Sequence, residues 1–266
     1  MTIRTALASL AFVLGLGLAT AAAAQPAPSA AIREVMAPSG KLRVALYTGT
    51  PTSVRSRTDL RGVGYDLGQE LARRLGVPFE PVILANNVEV QAAMRAKSVD
   101  LAFAHVTPER EVDMDFTQTH IPIELGYLAG PKTSIASMAE VDRPGVRVGV
   151  TVGSSSEPAL KAMFKNARVI TTPTLDTGAA ALTAGELDLF ATNKANLGAM
   201  QEKVAGSRLL DGQWGVELHA MALPKGREAA LPFARAYVAD AVASGRVKAA
   251  AVRAGLKGMI DEKAAP

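Results

Sequence analysis

Residues 145–166, GVRVGVTVGSSSEPALKAMFKN, open with an apolar strand-like run ending in a glycine and pass into a helix whose first turn carries three serines. The chain has run this unit once already. KLRVALY (41–47) alternates as a strand does, and GYDLGQELARRLGV (64–77) sets Leu67, Leu71 and Leu75 at helical spacing behind Asp66, a candidate N-cap. PFEPVIL (78–84) then reads as a strand, VEVQAAMRAK (88–97) as a helix, and VDLAFAHV (99–106) as the continuous apolar run of a strand buried on both faces. After residue 166 the alternation repeats through ARVITT (167–172), DTGAAALTAGE (176–186), LDLFAT (187–192) and NLGAMQEKVAG (196–206). Each unit is β-α-β-α-β, which implies a largely parallel sheet with helices on both faces.

ELGYLAG (124–130) joins the two units, and VELHAMALPKG (216–226) crosses back. The helical stretches that follow, AALPFARAYVADAVASG (229–245) and RVKAAAVRAGL (246–256), have no sheet of their own to cover, so they belong against the first unit. The fold expected is therefore α/β and two-lobed, with two sheets, flanking helices and a two-strand hinge. Its expected divisions are a signal peptide over 1–24, a flexible leader over 25–40 rich in Pro, Ala and Ser, a first lobe over 41–125, a second over 126–218, and a return over 219–266.

The signal reading rests on Arg4, an apolar run from Ala6 to about Ala19, and the small residues Ala22, Ala23 and Ala24, with cleavage expected before Gln25. That run falls short of the roughly 20 apolar residues that span a bilayer. With no cysteine in the chain, neither a disulfide nor a lipid-anchored amino-terminal cysteine is available, so a freely soluble, periplasmic monomer is expected. The net charge of +4 comes from dispersed lysines and arginines, and aromatics make up only 5%. This excludes nucleic acid as an expected partner and favours small anions.

Two lobes joined by two strands form a cleft at the carboxyl ends of their parallel strands, where ligands settle in open α/β sheets. Arg110, just past a buried strand, can offer a bidentate fork to a carboxylate, with Thr107 adding a hydroxyl. The same TPER segment also reads as a helix start, Thr107 capping and Pro108 in the first turn. Gly153-Ser154-Ser155-Ser156 brings backbone N–H groups and hydroxyls together at a strand-to-helix turn, suited to an anionic oxygen or simply to capping. His105, His120 and His219 show no metal-ligand spacing, so no metal and no cofactor is expected. Neither a GxSxG nor a phosphate-binding glycine loop occurs.

Taken in order, GKLRVAL, VGYDLGQELARRLGV, AKSVDLAFAHVTPERE, DFT, RVGVTVGSSSE and ALTAGELDLFAT resemble the extracellular solute-binding proteins of family 3. These are the periplasmic components of ABC importers for polar amino acids and related small acids. The resemblance runs from about Lys41 to near Leu256. It implies a type II periplasmic-binding fold, a membrane permease as partner, and a ligand α-carboxylate held by Arg110 with Thr107, Ser154 and Ser155.

The departures carry information of their own. Where the family commonly places an aspartate for the ligand ammonium, this chain has Asn193, followed by Lys194. Phe103 and His105 stand where small hydroxyl residues are usual, and the first loop, TGTPTSVRSR around Thr50, lacks the usual stacking aromatic. A neutral amide beside a lysine is a poor partner for a buried ammonium. The expected ligand is thus an amine-free organic acid in preference to an amino acid, read by Arg110, Ser154, Ser155 and Lys194. No catalytic residue is expected. The alternative is a cyclohexadienyl-dehydratase-like enzyme on the same fold, with Glu157 or His105 as general acid; a sensory ectodomain ranks last, because no span follows in a chain ending at Pro266.

Overall fold

A computed structural model describes residues 28–260; the expected signal segment lies outside them. The part of the expected leader that it includes is not a loose tether. Residues Ala30–Met36 form α1, with the Ser29 side chain accepting from the Ile32 amide. Ile32 and Val35 pack against the core of the first lobe and Met36 is fully buried in it. The apolar spacing of Ile32, Val35 and Met36 outweighs the breaker-rich composition around them, so the fold begins before Lys41.

Both repeated units then fold by the same rule. In the first, β1 (Leu42–Tyr47), α2 (Val63–Leu75), β2 (Phe79–Leu84), α3 (Asn87–Arg95) and β3 (Leu101–His105) follow one another. β1 lies between β2 and β3, parallel to both. A short helix, α4 (Pro108–Glu111), leads into a 16-residue strand, β4 (Met114–Ala129). The second unit repeats the order with β5 (Arg147–Thr151), α5 (Ser156–Met163), β6 (Arg168–Thr172), α6 (Leu175–Ala184) and β7 (Leu189–Asn193), and β5 again lies between its two parallel neighbours. α7 (Lys194–Gln201), the two-residue β8 (Arg208–Leu209), β9 (Gly215–Pro224), α8 (Leu231–Ala243) and α9 (Arg246–Ala254) complete the chain.

The repeat reaches individual contacts. Asp100, just before β3, accepts from the Arg43 backbone at 2.8 Å and from its guanidinium at 3.1 and 2.7 Å. Asp188, just before β7, accepts from Arg147 in the same way at 2.8, 3.0 and 2.8 Å. Each aspartate ties the loop entering the last strand of its unit to the start of the first.

The two expected sheets are joined into one hydrogen-bonded path, β2-β1-β3-β9-β4-β7-β5-β6, because β4 and β9 are long enough to serve both lobes. β4 pairs with β9 from Met114 to Leu125 and with β7 from Leu125 to Ala129. Register shifts around Thr119 bend the ladder between the halves. α8 and α9 pack on the first lobe, where Tyr237, Val238, Val247 and Ala251 are buried with Leu67 and Leu71 of α2. Beyond α9 the tail returns to the crossing: Met259 bridges Ile123, the Glu124 amide donates to the Gly258 carbonyl at 3.1 Å, and the Ile260 amide to the Pro122 carbonyl at 3.0 Å.

Candidate ligand-binding site

A cavity of about 30 Å³ lies where the lobes meet, lined from the first by Tyr47, Phe103, His105 and Arg110, from the second by Thr151, Ser154, Ser155 and Asn193, and from the return strand by Glu217 and His219. At that size it has room for little more than a water molecule, so a solute enters only as the lobes part.

β3 ends at His105, and Thr107 caps α4 by accepting from the Arg110 amide. The helix start and a cavity-facing arginine therefore coexist: the turn at Thr107 sends the Arg110 side chain back over the strand end. Its guanidinium donates to the His105 carbonyl at 2.9 Å and, across the cleft, to the Gly153 carbonyl at 3.3 Å. Among the described residues no carboxylate forms an ion pair with it, although it is only 7% exposed. Burial pushes its pKa below the ordinary arginine value by more than the opposing pull of the Glu217 charge restores.

On the facing side, β5 delivers the serine turn. Gly153 has φ +70, and a Cβ there would meet a Val88 methyl of the first lobe at 2.6 Å, so only glycine fits this crossing of the cleft. The hydroxyls of Thr151, Ser154 and Ser156 are buried and unpartnered beside the N-terminus of α5. Ser155 is already engaged, donating to a Glu217 carboxylate oxygen at 2.9 Å.

Asn193, the last residue of β7, does two things at once. Its side-chain oxygen caps α7 by accepting from the Asn196 amide at 3.0 Å, which leaves its NH₂ to donate to the other Glu217 oxygen at 2.7 Å. His219 Nε2 meets that same oxygen at 3.0 Å. Burial alone would raise Glu217, yet hydrogen bonds from His219 and Asn193 and the electrostatic pull of the nearby imidazoles hold it far below the usual carboxylate range. It is an ionised, buried acceptor. His105 is lowered, chiefly by burial, and its Nδ1 lies 2.9 Å from the Leu218 amide and 3.2 Å from the Leu218 carbonyl.

Of the residues singled out in the sequence, Phe103, His105, Arg110, Ser154, Ser155 and Asn193 come together in the lining. Three do not. Lys194 pairs with Glu124 and packs over Gly126 and Gly258, outside the cavity; as the first residue of α7, its side chain leaves the cleft that Asn193 faces. Thr50 is fully buried in a contact with Asn196 that ties the lobes together. Thr107 is spent on capping α4. Glu217 and His219 were missed, because VELHAMALPKG read only as a crossing strand; a carboxylate and an imidazole two residues apart in an otherwise apolar strand were the available signal. The aromatic missing from the first loop stands one residue earlier, as Tyr47.

The sequence profile of the bacterial extracellular solute-binding proteins, family 3, matches residues 42–203. No curated protein matches the chain. Among solved structures, a mutant of ArgBP from T. maritima is similar over 83% of this chain and 97% of its own, at 18% identity and a TM-score of 0.72. A putative binding component of an ABC transporter from Wolinella succinogenes, complexed with lysine, is similar over 85% and 98%, at 23% identity and 0.72. AncCDT-1, an ancestral amino acid-binding protein and precursor of cyclohexadienyl dehydratase, is similar over 84% and 98%, at 22% identity and 0.70. At these identities the likeness carries the two-lobed fold alone.

Proposed function

Because the chain belongs to the bacterial extracellular solute-binding proteins of family 3, we propose that it captures a small carboxylate-bearing solute between its lobes and hands it to the permease of an ABC importer. The observation that carries this reading is Arg110: a buried guanidinium, unpaired with any carboxylate among the described residues, in a cavity whose far wall offers free hydroxyls. A carboxylate placed there neutralises the cation and satisfies Thr151 or Ser154 on the other lobe. It therefore favours the closed arrangement by differential contact, and that arrangement is the form for a permease to recognise. In this reading residues 1–24 act as a cleaved signal and the monomer works in the periplasm.

A dehydratase on this fold would need a general acid in the cleft. Glu217 is held ionised and His105 neutral, while Glu157 pairs with Lys161 away from the lining. These observations favour capture over turnover. Thermal-shift titration of residues 25–266 with small carboxylates tests the reading, since a ligand specific to the folded state raises the Tm by mass action. Removing one partner of a buried, hydrogen-bonded charge pair weakens binding by about 30-fold or more, so Arg110→Ala is expected to abolish shifts seen at millimolar ligand. Unchanged shifts in that variant would refute the role of Arg110.

A further inference from the structure

The expectation of an amine-free ligand rested on the absence of an acid at position 193. The structure supplies one from a neighbouring segment. Glu217, on β9, brings its carboxylate within 2.7 Å of the Asn193 amide nitrogen, and the two residues line the same cavity as Arg110. Resting on the carboxylate reading above, we infer that Glu217 is the specificity-determining residue that reads a positive charge on the ligand, with Asn193 as its positioning residue.

The hydrogen-bond pattern supports this assignment. One Glu217 oxygen accepts from both Asn193 and His219, which fills its two lone-pair sites; the other accepts only from Ser155 and keeps a site open. Asn193 suits the holder's role as aspartate would not. Its oxygen is committed to capping α7, and only an amide can then also donate to Glu217. An aspartate at 193 would set two carboxylates against each other. The substitution that seemed to remove the anionic reader instead goes together with moving it one segment over.

Charge balance points the same way. Arg110 and Glu217 line the cavity without pairing with each other. An amine-free carboxylate would satisfy Arg110 but place a second anion beside Glu217, whose present partners are the His219 imidazole and the neutral donors Asn193 and Ser155. A ligand carrying a carboxylate and a protonated nitrogen satisfies both. Tyr47 and Phe103 add aromatic surface to the same cavity.

Matched pairs differing only in the amine provide the test: L-alanine and β-alanine against propionate, L-glutamate against glutarate, L-phenylalanine against 3-phenylpropionate, by calorimetry at pH 7. A charge-assisted hydrogen bond from the ammonium predicts at least about tenfold tighter binding of an amine-bearing member than of its match. Glu217→Gln is expected to erase most of that ratio, and the double variant Asn193→Asp with Glu217→Gln, which returns the acid to the neighbouring position, to restore it. Equal affinities within every pair in the unaltered protein overturn this inference and leave the carboxylate reading standing; so does a ratio that survives Glu217→Gln. If no compound of either series binds, the carboxylate reading falls and this inference with it. Should Glu217→Gln not fold, the ratio in the unaltered protein still decides.

Discussion

Arg110 and His120 are two buried basic side chains whose charged forms burial disfavours, but whose costs fall at different pH. On the proposed reading Arg110 is held for a ligand, because burying an unneutralised guanidinium works against the ligand-free fold. Arg110→Met, which keeps most of the packing and drops the charge, is therefore expected to leave the Tm of the ligand-free protein unchanged or raised while binding is lost, the signature of a residue kept for function. His120 is buried in the bend of β4, edge-on to Phe103 at 5.5 Å, with Nδ1 unpartnered. Burial, with the nearby charge of His219, lowers its pKa to about 3. The sign follows from linkage: as the pH falls below about 6.5 the unfolded chain takes up a proton that the fold refuses, so stability declines between about pH 6.5 and 3. His120→Phe is expected to flatten that part of the Tm–pH profile. An unchanged slope would place the acid sensitivity elsewhere.

At the level of elements, the strands and helices of both lobes were legible because each carries its own period: continuous apolar runs for β3 and β7, leucines at helical spacing for α2. The positions of Arg110 and the serine turn followed, since both sit at strand-to-helix junctions. The place of Glu217 in the site was not legible. Nothing within β9 says that its register against β4 sets residue 217 beside the end of β7; that is a long-range pairing, Ile123 with Glu217 and Leu125 with Asn193. α1 was hidden by composition, its short amphipathic spacing lying between prolines. The aspartate clamps yield a prediction at this scale. Asp100 is fully buried and accepts from Arg43 and Arg227, whereas Asp188 is partly exposed and accepts from Arg147. Asp100→Ala is expected to cost about 3–5 kcal/mol, as removal of one partner of a buried ion pair does, and Asp188→Ala about 1 kcal/mol. Chemical denaturation of the two variants checks the order. Comparable losses would mean that burial does not separate the clamps.

For the whole molecule, the closed arrangement is fastened at several points besides the ligand site: Thr50 to Asn196, Arg55 to Glu202 at 2.6 Å, and Asn86 to the Pro173 carbonyl at 3.3 Å. These contacts favour closure before any solute arrives, and a solute must wait for the lobes to separate. Thr50→Val combined with Arg55→Ala is expected to enlarge the radius of gyration of the ligand-free protein in X-ray scattering and to leave the ligand-saturated value unchanged. Equal scattering with and without the substitutions would mean that the contacts do not bias the lobes. The tail adds a constraint of another kind. Two strands crossing side by side make an axle, about which one body can swing with little resistance. Gly258–Ile260 lies along the free edge of β4 and is continuous with α9, which packs against α2 and α8 of the first lobe. The joint is thereby widened into a plate: rotation must flex all three segments together or peel the third away. The amide of Ile260, placed at that seam, becomes a strain gauge, and its rate of hydrogen exchange should rise and fall with the angle between the lobes.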